Sequence, residues 1–547
     1  MKKKLLSLLL ALTMTVGALA GCSGGDDQST ADNGGEAPAQ EITVAIASSF
    51  ATQDPALMST THMANVYYNT GASFFRSDSD GVLQYELGES WEKSEDGLTY
   101  TFKIKDGLKW SDGEPLTAEH FVYGIKRTIG YGPDNAYAKR NLVNFISGAQ
   151  AASDAAADVA DMTDVGVTLV DDTTFQVTLS TPCPYFEKLF SGNTTAPLRP
   201  DFAPEHESAW SVDTVYPAAG PMMLESIKPE EEAVFVKNPN YWNADTITLE
   251  KATFVVMPDS TAQLNAFKSG AIDIALSVPT ETADNSQYAD NFYKSDKYVS
   301  SYFVLLNGGP KNTVPALKDE NVRKALALAI DKDTMMTILG GNGYNVRLDG
   351  FIPYGFEDGD GDFRDAKSYS EFNLEEAKAL MEAAGYSAEN PLKFEYLYSN
   401  GQFHADLAQI LQQMWSQIYV EVELKAVEQG VFYDYVDNGD FTACRYANND
   451  STDPLCYFQI FTTDSQIDGC QSITDPTLDA MVDEAYNITD PTEYLAKLHE
   501  IEDYMVGEKQ YIIPLLTQIP VVLVQSNIEG LWTNTTGTPF VGNITVK

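Results

Sequence analysis

Basic residues are scarce in this chain. Its 35 lysines and arginines face 79 aspartates and glutamates, a formal net charge of −44. A surface of that sign repels phosphate backbones, which argues against nucleic acid as a partner, and it has no pull on anionic lipid. It is compatible with a cationic or amine-bearing ligand. Histidine is equally thin: five residues, at 62, 120, 206, 404 and 499, none at metal-ligand spacing, so no zinc site is expected. Catalytic signatures are missing too. There is no G-x-S-x-G, no H-E-x-x-H and no G-x-x-x-x-G-K-[ST]. The stretch beginning at His206 lacks the second histidine, and the glycine cluster near 340 lacks the third glycine of a dinucleotide loop. Neither enzymatic turnover nor a cofactor nor a metal is expected. Beyond residue 21 no apolar run approaches the roughly 18 residues of a membrane-spanning helix.

What is present begins at the N-terminus. Lys2, Lys3 and Lys4 precede an apolar run from Leu5, and the run ends in Leu19-Ala20-Gly21-Cys22. Charge, apolar stretch and small residues in that order form a secretory signal rather than a fold element. The last four residues match the bacterial lipobox. The expectation is a signal peptide over 1–21, removed before a diacylglyceryl-modified Cys22. Two acyl chains anchor a protein stably where one does not. Residues 22–40 then supply the lipidated cysteine and a flexible tether with a mean reach of about 23 Å. Four further cysteines stand at 183, 444, 456 and 470. Outside the cytoplasm disulfides are allowed. Cys456 and Cys470 would close a short loop; buried free thiols are the alternative.

At 547 residues, 44% hydrophobic and 11% aromatic, the chain is a folded protein too long for one ordinary core. Folded sequence starts at a strand over 41–48. Tyr100, Phe102 and Ile104 alternate with polar residues ahead of an Asp-Gly turn, as do Phe175, Val177 and Leu179, and Val420, Val422 and Leu424. Helical spacing is as clear. Val322, Ala325, Leu326, Ala329 and Ile330 share one face, and so do Leu407, Ile410, Leu411 and Met414. Asn373 with Glu376 three residues later reads as a capping box, and Gly385 as the stop of that helix. The expected class from these patterns is α/β or α+β.

Two acidic stretches invite chemistry. In 357–365, Asp358, Asp360 and Asp362 alternate as in a calcium loop, but Phe363 and Tyr369 replace the glycine and the twelfth-position glutamate. It reads as an acidic surface loop. In 447–456, ANNDSTDPLC, Asp450 and Asp453 lie among turn formers and before Pro454.

Five long stretches point one way: 87–127, 237–276, 319–341, 372–386 and 512–531. Together they resemble, in order, the peptide-binding proteins of ABC importers, the large oligopeptide and dipeptide binders of solute-binding family 5. Trp91, Trp110 and Thr117 fall among them as scaffold residues. The resemblance implies a two-lobed periplasmic-binding-protein fold (type II-like, large peptide-binder class) with an extra α+β domain inserted in the first lobe. The first lobe is expected at 41–298 plus 515–547, the extra domain at about 82–187 and the second lobe at 299–514. The chain crosses between lobes near 298–301 and 513–517.

The resemblance further implies a ligand held in the interlobe cleft as an added strand, with an aspartate facing its α-ammonium. That aspartate is followed by three residues and then proline in the family's local pattern, which places it at Asp450. Asp453 then shapes the turn. Asn449, Asn448 and Tyr446 are candidate neighbours of the ligand, and Thr61 and His62 candidates from the first lobe. Where a tryptophan is common three residues before the aspartate, this chain has Ala447. The implied function is an extracytoplasmic lipoprotein, a monomer on the outer face of the membrane, passing peptides to permease and ATPase subunits. The alternatives are the same fold with another solute (a sugar, opine, nickel chelate or haem) or a peptide-sensing receptor.

Overall fold

The computed structural model describes residues 38–547 apart from 51, 59–60, 134, 203–211, 213, 296, 310, 341–342, 370 and 464–472. Three sheets organise it. A seven-stranded sheet runs in the order Phe292–Tyr293, Val522–Val524, Ile274–Ala275, Glu41–Ile46, Lys251–Val256, Glu232–Lys237, Met222–Lys228. Its centre is a parallel pair, Val44 opposite Phe254, both without exposure. Strands buried on both faces read as continuous apolar runs, and Val44, Ala45 and Ile46 do.

A six-stranded sheet follows the order Asn345–Arg347, Ile512–Gln518, Ser301–Leu306, Ala443–Asn448, Leu392–Ser399, Val420–Val427. Ser301–Leu306 is buried throughout. Its alternate residues feed two cores, Tyr302, Val304 and Leu306 one way and Phe303 and Leu305 the other. The helices Glu320–Leu328 and Gln402–Ser416 bury the faces that their spacing predicts. Asn373 accepts from the Glu376 amide at 3.1 Å, opening the helix Leu374–Ala383.

The third sheet is smaller: Gly88–Lys93, Thr99–Ile104, Thr174–Thr178, Val167–Asp171. Phe102 and Phe175 stack across it with centroids 5.2 Å apart, and Phe190 lies over Phe102 at 4.0 Å. The glycines of its three Asp-Gly turns, Gly97, Gly107 and Gly113, all have φ between 71° and 92°, a backbone region that costs a Cβ-bearing residue strain. The helix Ala118–Gly130 packs on this sheet. The Thr117 amide donates to His120 Nδ1 at 3.0 Å, closing its first turn.

The chain passes between the two large sheets twice, through 294–300 and through 519–521. The first passage is held at its end: Thr517, just before the second passage, donates its hydroxyl to the Ser300 carbonyl at 2.5 Å, and the Val299 amide donates to the Thr535 carbonyl at 2.8 Å. The core of the third sheet is continuous with one side of the six-stranded sheet; Phe145 meets Tyr486 edge-on at 5.4 Å. Among the described residues, no helix is long and apolar enough to cross a membrane.

The acidic loop 357–365 uses its own carboxylates. Asp362 accepts from the Gly355 and Arg364 amides at 2.7 and 2.9 Å, and Asp358 meets His499 Nε2 at 2.8 Å.

Candidate functional site

The strand Ala443–Asn448 ends at a polar turn, and the turn faces the third sheet's domain. Asp450 Oδ1 accepts from the Thr452 amide at 2.8 Å, an Asx turn. Its other oxygen meets Arg140 Nη2 at 3.1 Å, with the two side chains 7% and 12% exposed. Arg140 lies in the irregular helix Lys139–Val143 and also sits 5.1 Å from the Tyr137 ring centroid. Burial works to lower the basicity of this guanidinium. The Asp450 charge, joined by smaller neighbouring terms, reverses the sign and holds it cationic.

Asp453 is buried and more fully satisfied. Oδ1 accepts from the Leu455 amide at 3.0 Å and the Tyr494 hydroxyl at 2.5 Å, and Oδ2 meets Lys188 Nζ at 3.3 Å. Lys188 stays partly open, and Asp453 with Glu187 outweighs burial to raise its pKa. Two acids of one turn thus hold two cations of the facing domain. The Tyr185 hydroxyl extends this seam by donating to Gln459 Oε1 at 3.1 Å.

Beside the seam lies a cavity of about 640 Å³. Lys93, Tyr100 and Lys188 line it from the small domain, Ser451 and Asp453 from the turn, and Tyr68 and Thr535 from the side of the seven-stranded sheet. Its volume is that of a small-molecule or short-peptide pocket.

The other candidates scatter. Tyr446 is 4% exposed, its ring 5.7 Å from Phe303 in the core. Asn448 and Asn449 are half-buried, and Asn448 Nδ2 has no hydrogen-bond partner among the described residues. Thr61 and His62 open the helix Thr61–Thr70, and their side chains lie outside the described structure. Cys22 and Cys470 are outside the described residues. Cys456 is a buried free thiol, as are Cys183 and Cys444.

Sequence reasoning missed Arg140 and Lys188. No local pattern marks them, because the contacts that give them meaning are remote; Lys188 and Asp453 are 265 residues apart. It also missed Arg445. This buried arginine donates to Ser399 Oγ at 2.5 Å and lies 4.3 Å from the Phe432 centroid. No carboxylate pairs with it among the described residues, and its Nε is without a partner. A buried guanidinium left this way carries an uncompensated desolvation cost. It also holds the nearby His404 neutral: burial, then the Arg445 charge, pushes that imidazole down to about 3.

Residues 82–469 match the model of the bacterial extracellular solute-binding proteins, family 5. The chain belongs to this family. Among its family 5 relatives, the oligopeptide-binding protein OppA of Bacillus subtilis is 28% identical over 481 residues, covering 84% of each chain. The periplasmic oligopeptide-binding protein OppA of Escherichia coli is 30% identical over 376 residues, covering 68% of this chain and 67% of its own. The crystal structure of Haemophilus influenzae OppA in complex with RPPGFSPFR superposes with a TM-score of 0.76 at 24% identity, over 93% of this chain and 100% of that one. The two-lobed family 5 fold is thereby established for this chain, and solute binding rather than catalysis is the family's business.

Proposed function

We propose that this protein captures peptides between its lobes and delivers them to the permease of an ABC importer. The observation that carries the reading is the cavity at a charge-paired seam between domains, in a fold shared with a peptide-bound relative. The names of the two OppA relatives support the ligand class. The frames of the lobes are the seven- and six-stranded sheets, with the third sheet as the inserted domain. Opening and closing would then turn on the two passages, a hinge movement.

In this reading Asp450, next to the cavity-lining Ser451 and Asp453, takes the ligand's amino end, with Asn448 and Asn449 offering amide groups beside it. Thr61 and His62 remain the candidates from the first lobe. Arg445, buried in the strand Ala443–Asn448 and not on the cavity wall, is the cation we assign to a ligand carboxylate, since a charge-assisted bond would supply the counter-charge it lacks among the described residues. The protein hydrolyses nothing; ATP is used by other subunits. Its place is the outer face of the membrane, held by a lipid on Cys22 after loss of 1–21, as a monomer.

Mass spectrometry of solutes that co-purify with the protein, followed by titration calorimetry, tests this. Peptides should be recovered and should rebind. Recovery of a sugar, an opine, a nickel chelate or haem in their place, with no heat from any peptide pool, refutes it.

A further inference from the structure

Asp450 is the carboxylate on which a ligand ammonium would be read, and it is already engaged. One oxygen takes the Thr452 amide and the other takes Arg140. Arg140 is itself committed: Nη2 to Asp450, Nε to Asn141 Oδ1 at 3.1 Å, and its plane near the Tyr137 ring. The two charges come from different domains and meet where both are nearly closed off from water.

We propose that Arg140 is a specificity-determining residue that competes with the ligand's α-ammonium for Asp450, so that this protein discriminates little between free and blocked N-termini. The inference rests on the peptide reading above. Three physical points carry it. An ammonium approaching Asp450 finds a carboxylate already neutralised, so it gains little from its own charge. To displace the guanidinium it must leave Arg140 buried without its partner, a cost comparable to what the new bond returns. Arginine cannot relinquish the site by losing its proton, because its pKa lies far above any working pH. Arg140 is also part of the chain, so its local concentration at Asp450 far exceeds that of a free ligand. A peptide with an acetylated N-terminus meets none of these costs, because it brings no ammonium to be desolvated.

The test uses one peptide recovered from the protein, synthesised with a free and with an acetylated N-terminus and titrated calorimetrically. On the wild type the two dissociation constants should agree within about threefold. In Arg140→Gln the free amine should bind at least about tenfold more tightly than the acetylated form, because Asp450 is released. A wild-type preference for the free amine above about tenfold overturns the proposal and needs no variant. An unchanged ratio in a folded Arg140→Gln protein also overturns it. If no peptide binds the wild type, the peptide reading falls first; if peptides bind but their amines are strongly read, the Arg140 assignment alone fails.

Discussion

Asp54→Asn removes one charge and almost no volume, and its cost can be worked from contacts. The Asp54 carboxylate is fully buried and takes four donors. Oδ1 accepts from the Ala56 amide at 3.1 Å and Arg127 Nη1 at 2.9 Å. Oδ2 accepts from Arg127 Nη2 at 2.7 Å and the Tyr131 hydroxyl at 2.5 Å. Asparagine keeps an acceptor for the first two. Its amide nitrogen then faces a guanidinium that can only donate, and a hydroxyl that must turn around. Arg127, with no exposure, keeps its charge and loses its counter-ion. Breaking a buried pair from one side costs about 3–5 kcal/mol. The double replacement Asp54→Leu with Arg127→Met removes both charges and should recover most of that, less about 1 kcal/mol for the lost cap on Ala56. Urea unfolding of the wild type, Asp54→Leu, Arg127→Met and the double completes the cycle, with Asp54→Asn measured beside them. A single variant costing under about 1 kcal/mol, or a double no more stable than the single, refutes the reasoning. The site matters because this pair pins the 54–57 turn to the helix Ala118–Gly130, which fixes the small domain on its lobe.

Arg445→Met should weaken peptides with a free C-terminal carboxylate by about 10–150-fold, the worth of one charge-assisted bond, and spare their C-terminal amides; calorimetry showing equal loss for both would remove Arg445 from the site. Acidification should destabilise the protein through its buried imidazoles. His404 is held down to about 3 by burial and then Arg445, and His120 to about 4 by burial and then Arg199. The unfolded chain takes up those protons near 6.5, so this stability is complete above about pH 6.5 and is lost as pH falls toward 4. His404→Gln should flatten that limb of the stability curve, and an unchanged slope would contradict the assignment. The Cys183, Cys444 and Cys456 thiols, each pushed up chiefly by burial, should resist iodoacetamide in the native protein and react after denaturation; mass-spectrometric labelling of any of the three in native protein would show that its site opens.

Much of the scaffold was legible because it is written in local terms. The alternation of Tyr100, Phe102 and Ile104 gives a strand face directly, and each of the three is nearly without exposure. The cap at Asn373 is a bond across three residues, so spacing alone shows it. The turn at Asp453 belongs to the same class, with its Oδ1 on the Leu455 amide two residues on. Tyr446 was misleading for the opposite reason. A tyrosine next to a cleft motif suggests a neighbour of the ligand, but strand alternation turns it toward Phe303 and the core.

The sequence by itself determined the mixed α/β class and the family, because periodicity and long ordered motifs are properties of neighbouring residues; the expected signal and lipobox at Cys22 were read in the same local way. The family resemblance, through the Asp and Pro spacing at 450 and 454, proposed Asp450 among 79 acids. Tertiary structure decided what Asp450 is bonded to. Its partner Arg140 arrives from another domain, and Arg445, without a carboxylate partner among the described residues, is conspicuous only once the sheet has buried it. Charge pairing falls off with distance in space, not in sequence, and burial multiplies its strength. Those two quantities exist only after the chain has folded.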